Sequence, residues 1–321
     1  MKHVVSLILC VLLTGPAFCW GFYGHKKINF YACFLLPPEM LVFYKANISF
    51  ITEHAVDPDK RRYLVDAEGP RHYIDIDRYG SFPYPDLPRK WNDAVAKYSE
   101  DSLQQHGIVP WWIQTMLYRL TTAFRQKSGT QILKLSAELG HYIGDAHVPL
   151  HTSSNHNGQY TNQRGIHGFW ESRIPELLAE TEWDFFIGRA SYVREPLNFM
   201  WDRILESAKA ADSVLRIEEE LNKLVSADQK YAYENRNGVL LKQYSSYYSR
   251  RYNSLLNNMV ERRMRQSISS VASFWYTAWV DAGQPALNTI LKVEFDEQEL
   301  KALDSLGNKW QNSTIKGKDC F

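Results

Sequence analysis

The chain has 321 residues, of which 45% are hydrophobic and 23% are charged, and this length allows one large core or two small ones. Its 37 basic and 36 acidic side chains nearly cancel. The chain therefore lacks the dense positive charge with which proteins grip duplex DNA through many phosphates, although smaller or single-stranded partners remain compatible.

Residues 1–19 have the pattern of an export signal. They contain a basic start at Lys2, an apolar run over residues 4–13 and a small-x-small cleavage site before Trp20. The apolar run is too short to span a bilayer, and no other stretch approaches the roughly 20 apolar residues of a transmembrane helix. We therefore expect a secreted or periplasmic mature protein, residues 20–321, without an integral membrane segment.

Cysteine is scarce in the expected mature chain, because only Cys33 and Cys320 remain after the signal is removed. Two cysteines do not form a disulfide framework. One long-range bridge between them and two free thiols are both consistent with the sequence. Neither cysteine has the spacing of a zinc site. Separately, we expect the protein to be a monomer.

Helical periodicity dominates the mature chain. Apolar residues recur at three- and four-residue steps in three segments, which is typical of amphipathic helices that face a core. The segments are Ile113, Met116, Leu117, Leu120 and Phe124; Leu197, Met200, Trp201, Ile204 and Ala208; and Leu256, Val260, Met264, Ile268, Val271, Trp275 and Trp279. The last segment ends at Gly283 and Pro285, as a helix C-terminus should. The pattern predicts an all-α fold.

Strand signals are few. The clearest covers residues 73–77, where apolar and acidic residues alternate, and one short extended piece does not make a sheet. Residues 152–165, rich in Ser, Asn, Gln and Gly, are predicted to form an ordered loop between two helices. The polar tail, from about Leu300 to residue 321, is expected to pack loosely.

Exposed aromatic and basic side chains could bind a nucleic acid strand, and four aromatics are candidate stacking platforms. They are Trp111, Trp112, Tyr247 and Tyr248. Aromatics at helical spacing usually belong to a core, and we predict this for each of them. The basic runs at 60–62 and 262–263 are likewise predicted to be solvated faces.

Side chains of the types that bind metals cluster in one stretch of the chain. His141 and Asp145 lie four residues apart on a helix whose other face is apolar, and His167 and Glu171 form a second such pair. His151 lies between the pairs. Zinc accepts imidazole nitrogen and carboxylate oxygen at about 2.0–2.2 Å, and catalytic sites leave one position open. The sequence therefore predicts an open three-ligand site at His151, His167 and Glu171.

Asp57 and His72, upstream, could complete a four-ligand set with His141 and Asp145. Their residue types fit a metal site, but their spacing alone does not select them. Four other side chains remain candidates for the same positions. They are His54, Asp59, Asp75 and Asp77.

Four motifs in a fixed order resemble one known superfamily. The motifs are Trp-Gly-x-x-Gly-His, Asp-x14-His, His-x3-Asp-x5-His and His-x3-acid, between Trp20 and Glu171. They are similar to those of the superfamily that contains single-strand-specific zinc nucleases of fungi and plants and bacterial zinc-dependent phospholipases C. The resemblance implies a compact single all-α domain over residues 20–321, a buried cleft with three zinc ions, and hydrolysis of phosphodiester bonds.

The resemblance implies nine metal ligands in three sets. The first is Asp57, His72, His141 and Asp145; the second is His151, His167 and Glu171; the third is the amino nitrogen and carbonyl oxygen of Trp20, with His25 and a bridging Asp145. The family order thus favours Asp57 and His72 over their neighbours. It also requires cleavage before Trp20, because an acylated nitrogen cannot bind zinc.

Clustered zinc ions suit phosphodiester hydrolysis, because they lower the pKa of a bound water towards about 7 and clamp the attacking and leaving oxygens. On this reading Asp57 and Asp145 are the catalytic carboxylates, and zinc-activated hydroxide forms at the ions that share Asp145. The ion on His151, His167 and Glu171 would stabilise the leaving group. Two further histidines, 147 and 156, lie off the ligand pattern and are expected around the site.

The sequence has features of both branches of the superfamily. Trp20–His25, Gly144–His151 and the Trp170 before the last acid are similar to the nucleases. Glu171, where the nucleases usually place Asp, and the short loop 151–167 are similar to the phospholipases. We favour a nuclease or 3'-nucleotidase acting on single-stranded nucleic acid, with a phospholipase C that cleaves headgroups as the alternative. The nucleases' base-stacking pocket is not located in this sequence.

A third hypothesis makes the protein an inactive homologue or an extracellular binding protein with structural zinc. Structural zinc sites usually have four protein ligands and favour cysteine. None of the nine candidate ligands is a cysteine, and this argues against the structural reading.

Overall fold

A computed structural model of the protein describes residues 21–236 and 238–316, so the signal prediction, Trp20 and Cys320 lie outside the described residues. The α-helices, in chain order, are α1 Gly21–Cys33, α2 Pro38–Ala46, α3 Ile48–Glu53, α4 Asp57–Arg61, α5 Trp91–Tyr98, α6 Glu100–His106, α7 Val109–Arg125, α8 Gly129–Ala146, α9 Ile166–Gly168, α10 Ile174–Leu178, α11 Pro196–Leu224, α12 Ala227–Lys230, α13 Ser246–Leu255, α14 Met259–Asp281 and α15 Glu297–Lys309.

Short 3₁₀ and π turns fill several of the connections between these helices. The 3₁₀ segments are His54–Val56, Asp66–His72, Ile76–Tyr79, Pro149–Thr152, Asn288–Ile290 and Trp310–Asn312, and a π-helical turn covers Phe169–Arg173. The all-α prediction is therefore confirmed. Among the described residues, no helix is both long and apolar enough to cross a membrane.

Helices α1, α7, α8 and α14 pack against one another around one hydrophobic core. The predicted apolar faces point into it, since Ile113, Leu120 and Phe124 of α7 are fully buried. Burying each such side chain contributes about 1.5–3 kcal/mol of hydrophobic free energy. A single core of this kind confirms the single-domain prediction.

Two glycines of α8 let α1 approach it closely. A β-carbon at Gly140 would lie 2.0 Å from Oδ1 of Asn29, and one at Gly144 would lie 3.2 Å from Nδ1 of His25. The Asn29 amide donates to the carbonyl of Ala137 over 3.0 Å and fixes this approach. The close packing brings the histidine of α1 against the inner face of α8.

The one sheet in the described part of the chain is a hairpin that the sequence analysis missed. Strand β1, Tyr231–Arg236, pairs antiparallel with β2, Val239–Tyr244, with Tyr233 opposite Lys242. The segment predicted as the best strand, 73–77, is instead extended and then turns into a 3₁₀ helix. Its backbone does not pair with a strand, because the N–H of Ile74 donates to the carbonyl of His151 in a 3₁₀ turn and that of Asp75 donates to the carbonyl of His106 at the end of α6.

The third predicted helix is present as α14 and begins three residues later than its first predicted residue, Leu256. Helix α13 ends at Leu255, and α14 begins at Met259 after Asn257 and Asn258, which have φ angles of 52° and 53°. Helix α14 ends at Asp281, just before Gly283, close to the predicted end. Residues 153–165 contain turns and no helix, as predicted for the loop.

The aromatic predictions hold for two of the four side chains. Trp111 and Tyr248 are buried in the core, whereas Trp112 is half-buried and Tyr247 is 51% exposed. Of the basic residues expected on solvated faces, Arg62 and Arg263 are instead buried. The prediction of solvated faces was therefore wrong for these two residues.

The tail expected to pack loosely is helical as far as residue 312 and docked as far as residue 316. Helix α15 begins with a capping box, in which Asp296 accepts from the N–H of Glu299 over 2.8 Å. After it, the Trp310 ring packs against Phe22 at 5.5 Å and Tyr63 at 5.8 Å between centroids. We call residues 297–316 the C-terminal strap. It joins the start of α1 to the segment that follows α4.

Candidate metal centre

Seven of the nine predicted ligands come together from six separate segments of the chain, and each of the seven is at most 3% exposed. Three groups of His, Asp and Glu side chains have donor atoms that all lie within 4.8 Å of one another. The groups are His25, His141 and Asp145; Asp59, His72 and His141; and His151, His167 and Glu171.

Asp145 joins the three groups into one centre. Its Oδ2 lies 3.0 Å from Nδ1 of His72 and 3.2 Å from Nε2 of His141. Its Oδ1 lies 3.4 Å from Nε2 of His25 and 3.5 Å from Nδ1 of His151. One carboxylate thus contacts ligands of all three groups, as expected for a bridging residue.

The group at His151 presents three acceptors to one another. His151 Nδ1 donates to the carbonyl of His72 over 2.7 Å, and His167 Nδ1 donates to that of His156 over 3.0 Å. In neutral imidazoles, both Nε2 atoms then carry lone pairs, although they are only 3.0 Å apart. Glu171 Oε2 is 3.0 Å from His167 Nε2. Three converging acceptors form a site that could hold a metal ion.

The same logic applies at His141. Its Nδ1 donates to the carbonyl of Ala55 over 2.9 Å, so its Nε2 carries a lone pair, 3.0 Å from Nδ1 of His72. Asp59 Oδ1 is 3.7 Å from each of these nitrogens. Within the described residues, neither carboxylate oxygen of Asp59 makes a hydrogen bond. The buried Arg62 guanidinium lies 3.9 Å from Oδ1, which is too far for a hydrogen bond. A buried carboxylate without hydrogen bonds is costly unless a cation close to it compensates the charge.

Asp59 takes the place predicted for Asp57, and this corrects the sequence-based choice. The two residues are two positions apart on α4, so their side chains leave the helix about 200° apart. Asp57 turns to His54 Nδ1 at 2.6 Å and Lys60 Nζ at 2.8 Å. Burial alone would raise the pKa of Asp57, but these two partners hold it below its usual range.

The remaining open alternatives are placed away from the three groups. Asp77 accepts hydrogen bonds from the N–H and hydroxyl of Ser154. The backbone N–H of Asp75 donates to His106, and His54 stacks on Phe50 at 4.0 Å. The structure therefore retains only Asp59 from the set of alternatives.

His25 belongs to the group that also contains His141 and Asp145. Its ring stacks on His141 with centroids 3.8 Å apart, and neither nitrogen hydrogen-bonds any residue that the structure describes. Burial and the neighbouring His141 lower the pKa of His25, which favours the neutral, ligand-competent ring. Nearby, the N–H of Gly21 donates to Ser172 Oγ over 3.0 Å, beside Glu171.

The two fully buried carboxylates of the centre are held in their ionised form. Burial alone would raise the pKa of Asp145, but His141 and His151 hold it well below the usual range. Burial opposes ionisation of Glu171 in the same way, and His167 and His151 lower its pKa. The centre therefore offers anionic oxygens and neutral nitrogens, the combination that a divalent cation binds.

The histidines expected around the site lie beside it. His156 contributes its backbone carbonyl, which fixes the ring of His167. His147 is buried and bound to the carbonyl of Ile143 at 2.7 Å and to Ser270 at 3.2 Å. Burial, and then Arg263, keep the pKa of His147 far below its usual value, so that its ring is neutral.

Glu68 was missed by the sequence analysis. It is fully buried, and its Oε1 lies 3.6 Å from Nε2 of His72. The signal that could have found it is its spacing, because Glu68 and His72 are four residues apart, like the two ligand pairs downstream.

The donor set fits zinc. Ligands about 2.0–2.1 Å from a tetrahedral ion lie about 3.3 Å apart. The contacts among His72, His141 and Asp145 span 3.0–3.2 Å, and the chemistry is imidazole and carboxylate throughout. The carboxylate oxygens of Asp59 and Glu171, which make no hydrogen bond to any described residue, are among the atoms that a bound cation would satisfy.

The S1/P1 Nuclease family matches residues 20–280. This match covers most of the sequence, and the chain belongs to the S1/P1 nuclease family. Membership supports a nuclease-type hydrolase of phosphodiester bonds, and the helical fold and the buried donor groups agree with it. A comparison with curated proteins gives no significant match. Nucleases of this family are in general zinc-dependent, in agreement with the donor set.

Proposed function

We propose that the protein is a secreted zinc-dependent nuclease that cleaves single-stranded nucleic acid and removes phosphate from 3'-nucleotides. The observation that carries the proposal is the convergence of buried lone pairs and carboxylates on Asp145. The near balance of 37 basic and 36 acidic side chains supports a single-stranded rather than a duplex substrate.

Three zinc ions would be held by this arrangement. The sets are Asp59, His72, His141 and Asp145; His151, His167 and Glu171; and His25 and Asp145 with the amino nitrogen and carbonyl oxygen of Trp20. Zinc bound there would polarise the phosphoryl oxygens and supply an activated water. The second set has three protein ligands, which leaves a position for substrate.

The residues of the chain position the metal ligands and exclude water from the centre. Three of the five ligand histidines are oriented by backbone carbonyls, which accept hydrogen bonds from Nδ1 of His141, His151 and His167. Asp145 contacts all three groups and sets their separation. Burial of the ligands lowers the local dielectric, which strengthens electrostatic stabilisation of the growing negative charge.

We expect purified protein to hydrolyse single-stranded DNA, RNA and 3'-nucleotides, and to leave phosphatidylcholine intact. A chelator should abolish the activity, and added zinc should restore it, because the ligands bind the metal only through reversible N and O donors. Release assays on the four substrates, with and without chelator, test this.

Two results would contradict the expectation in different ways. Cleavage of phosphatidylcholine without cleavage of nucleic acid would establish the phospholipase C reading instead. A protein with a full complement of zinc and no hydrolysis of any substrate would establish the structural-zinc reading.

We also propose that residues 1–19 are removed on export and that the freed amine of Trp20 completes the third set. A mature protein that carries one additional residue before Trp20 should bind one zinc ion fewer, because an amide nitrogen is not a donor for zinc. Metal analysis together with intact mass measures this. The matched control is the same protein after proteolytic removal of the added residue, which should regain the ion. Equal zinc content in both forms would refute the proposed role of the Trp20 amine.

A further inference from the structure

Glu68 lies behind His72, on the side away from the other ligands. Its Oε1 is 3.6 Å from Nε2 of the ring, whereas the opposite nitrogen, Nδ1, is 3.0 Å from both Asp145 and His141. Within the described part of the chain, Nε2 of His72 has no hydrogen-bond partner. If Nδ1 binds a cation, the proton of the neutral ring is on Nε2, and the carboxylate of Glu68 is placed to accept a hydrogen bond from it.

Glu68 is fixed in place by three donors. Arg71 donates to its Oε2 over 2.7 Å, Arg61 donates to the same oxygen over 3.3 Å, and the hydroxyl of Tyr142 donates to Oε1. The Arg71 guanidinium is itself stacked on Trp112, 3.9 Å from the ring centroid. A fully buried carboxylate with two guanidinium partners has a fixed position and orientation.

Tyr142 and Arg61 connect this network to α8. Tyr142 directly follows His141, and its hydroxyl also accepts from Arg61 over 3.3 Å. Arg61 has a second acid partner, Glu138, at 2.6 Å. Glu138 thus shares the arginine with Glu68, but within the described ranges it makes no hydrogen bond or ion pair with a ligand histidine.

We propose that Glu68 is a positioning residue of the zinc site that contains His72. It accepts a hydrogen bond from Nε2–H of His72. The Nδ1 lone pair is thereby directed at the cation that Asp59, His141 and Asp145 would also bind. The inference rests on the proposed zinc centre. An imidazole whose Nδ1 lone pair is coordinated is a stronger Nε2–H donor, so the 3.6 Å separation should shorten to a hydrogen bond in the loaded protein.

The test compares Glu68→Gln with Glu138→Gln. Loss of an acceptor behind a ligand histidine typically lowers metal affinity by about 10–100-fold. We therefore expect Glu68→Gln to lower the affinity of one ion by that factor, measured by competition with a chelator, and to shift the visible absorption of the Co²⁺-substituted protein. Glu138→Gln, the matched control, should leave both unchanged, because it removes only the outer partner of Arg61.

A purely structural role for Glu68 is separated by a double-mutant cycle with His72→Ala. If Glu68 acts through His72, Glu68→Gln has no further effect on zinc affinity once the histidine is gone. An equal loss in both backgrounds would overturn the proposal. If Glu68→Gln fails to fold, Glu68→Asp, which keeps the charge, takes its place, and unchanged affinity and Co²⁺ absorption in that variant count against the proposal.

The outcome is distinguishable from failure of the proposed function. A wild-type protein that binds zinc but hydrolyses no substrate refutes the nuclease proposal, while the comparison of zinc affinities still decides the role of Glu68. Normal hydrolysis combined with identical zinc affinity in the wild type and Glu68→Gln refutes only the positioning role. A wild type that binds no zinc overturns both.

Discussion

Replacing Asp145 with asparagine should lower kcat/KM on single-stranded DNA by about 10³-fold or more. This carboxylate contacts ligands of all three groups, at 3.0–3.5 Å, so that its loss disturbs more than one ion. Metal ions contribute several kcal/mol of transition-state stabilisation, and each 1.36 kcal/mol corresponds to about tenfold in rate. The amide of asparagine has a similar shape but no charge. Steady-state kinetics and metal content of the purified variant measure the effect.

Circular dichroism and thermal unfolding provide the control for Asp145→Asn. Because the apolar face of α8 anchors the helix in the core and asparagine has nearly the same shape as aspartate, we expect the variant to keep its helical content. A variant that is folded, retains three zinc ions and turns over substrate normally would contradict the bridging role. In that case the convergence of the three groups would have no catalytic meaning.

The second large effect distinguishes the two aspartates of α4. Asp59→Asn should lose one zinc ion and at least about 100-fold in kcat/KM, the upper end of the cost of losing an outer-shell partner. Asp57→Asn should retain its full zinc content and most of its activity, because the oxygens of Asp57 contact His54 and Lys60. Metal analysis and kinetics on the two variants form a matched pair.

The two substitutions should also change the stability of the metal-free protein in opposite directions. Asp59→Asn removes a buried charge that makes no hydrogen bond among the described residues, so it should raise the melting temperature of the metal-free form. Asp57→Asn breaks contacts with His54 and Lys60 and should lower it. If Asp57→Asn instead loses the zinc ion, the family-derived choice of Asp57 was correct and the geometric assignment is wrong.

Much of the fold is readable from local periodicity. The apolar spacing of α7 and α11 predicted their buried faces, because each helix packs one face against the core. The hairpin was missed although Asn237-Gly238 lies between two segments rich in Tyr, Val and Leu, a strong hairpin signal. The docked tail was missed although Asp296 and Glu299 have the spacing of a capping box.

The site was predictable where ligands share a helix face and not where the choice depended on tertiary packing. The pairs His141 with Asp145 and His167 with Glu171 follow from a four-residue spacing. By contrast, Asp57 and Asp59 flank one proline, and only the orientation of α4 against α8 decides which of them faces the histidines. Family order alone selected the wrong face.

The docking of the C-terminal strap constrains when the molecule can finish assembling. Trp310 contacts Phe22, near the other end of the described chain, and the N–H of Lys316 donates to the carbonyl of Arg62 over 2.9 Å. Pairing of residues so distant in sequence forms slowly, because a long loop must close first. A nascent chain whose residues 310–316 are not yet released from the ribosome lacks these contacts, so α1 and α4 reach their final packing only after that segment has been released.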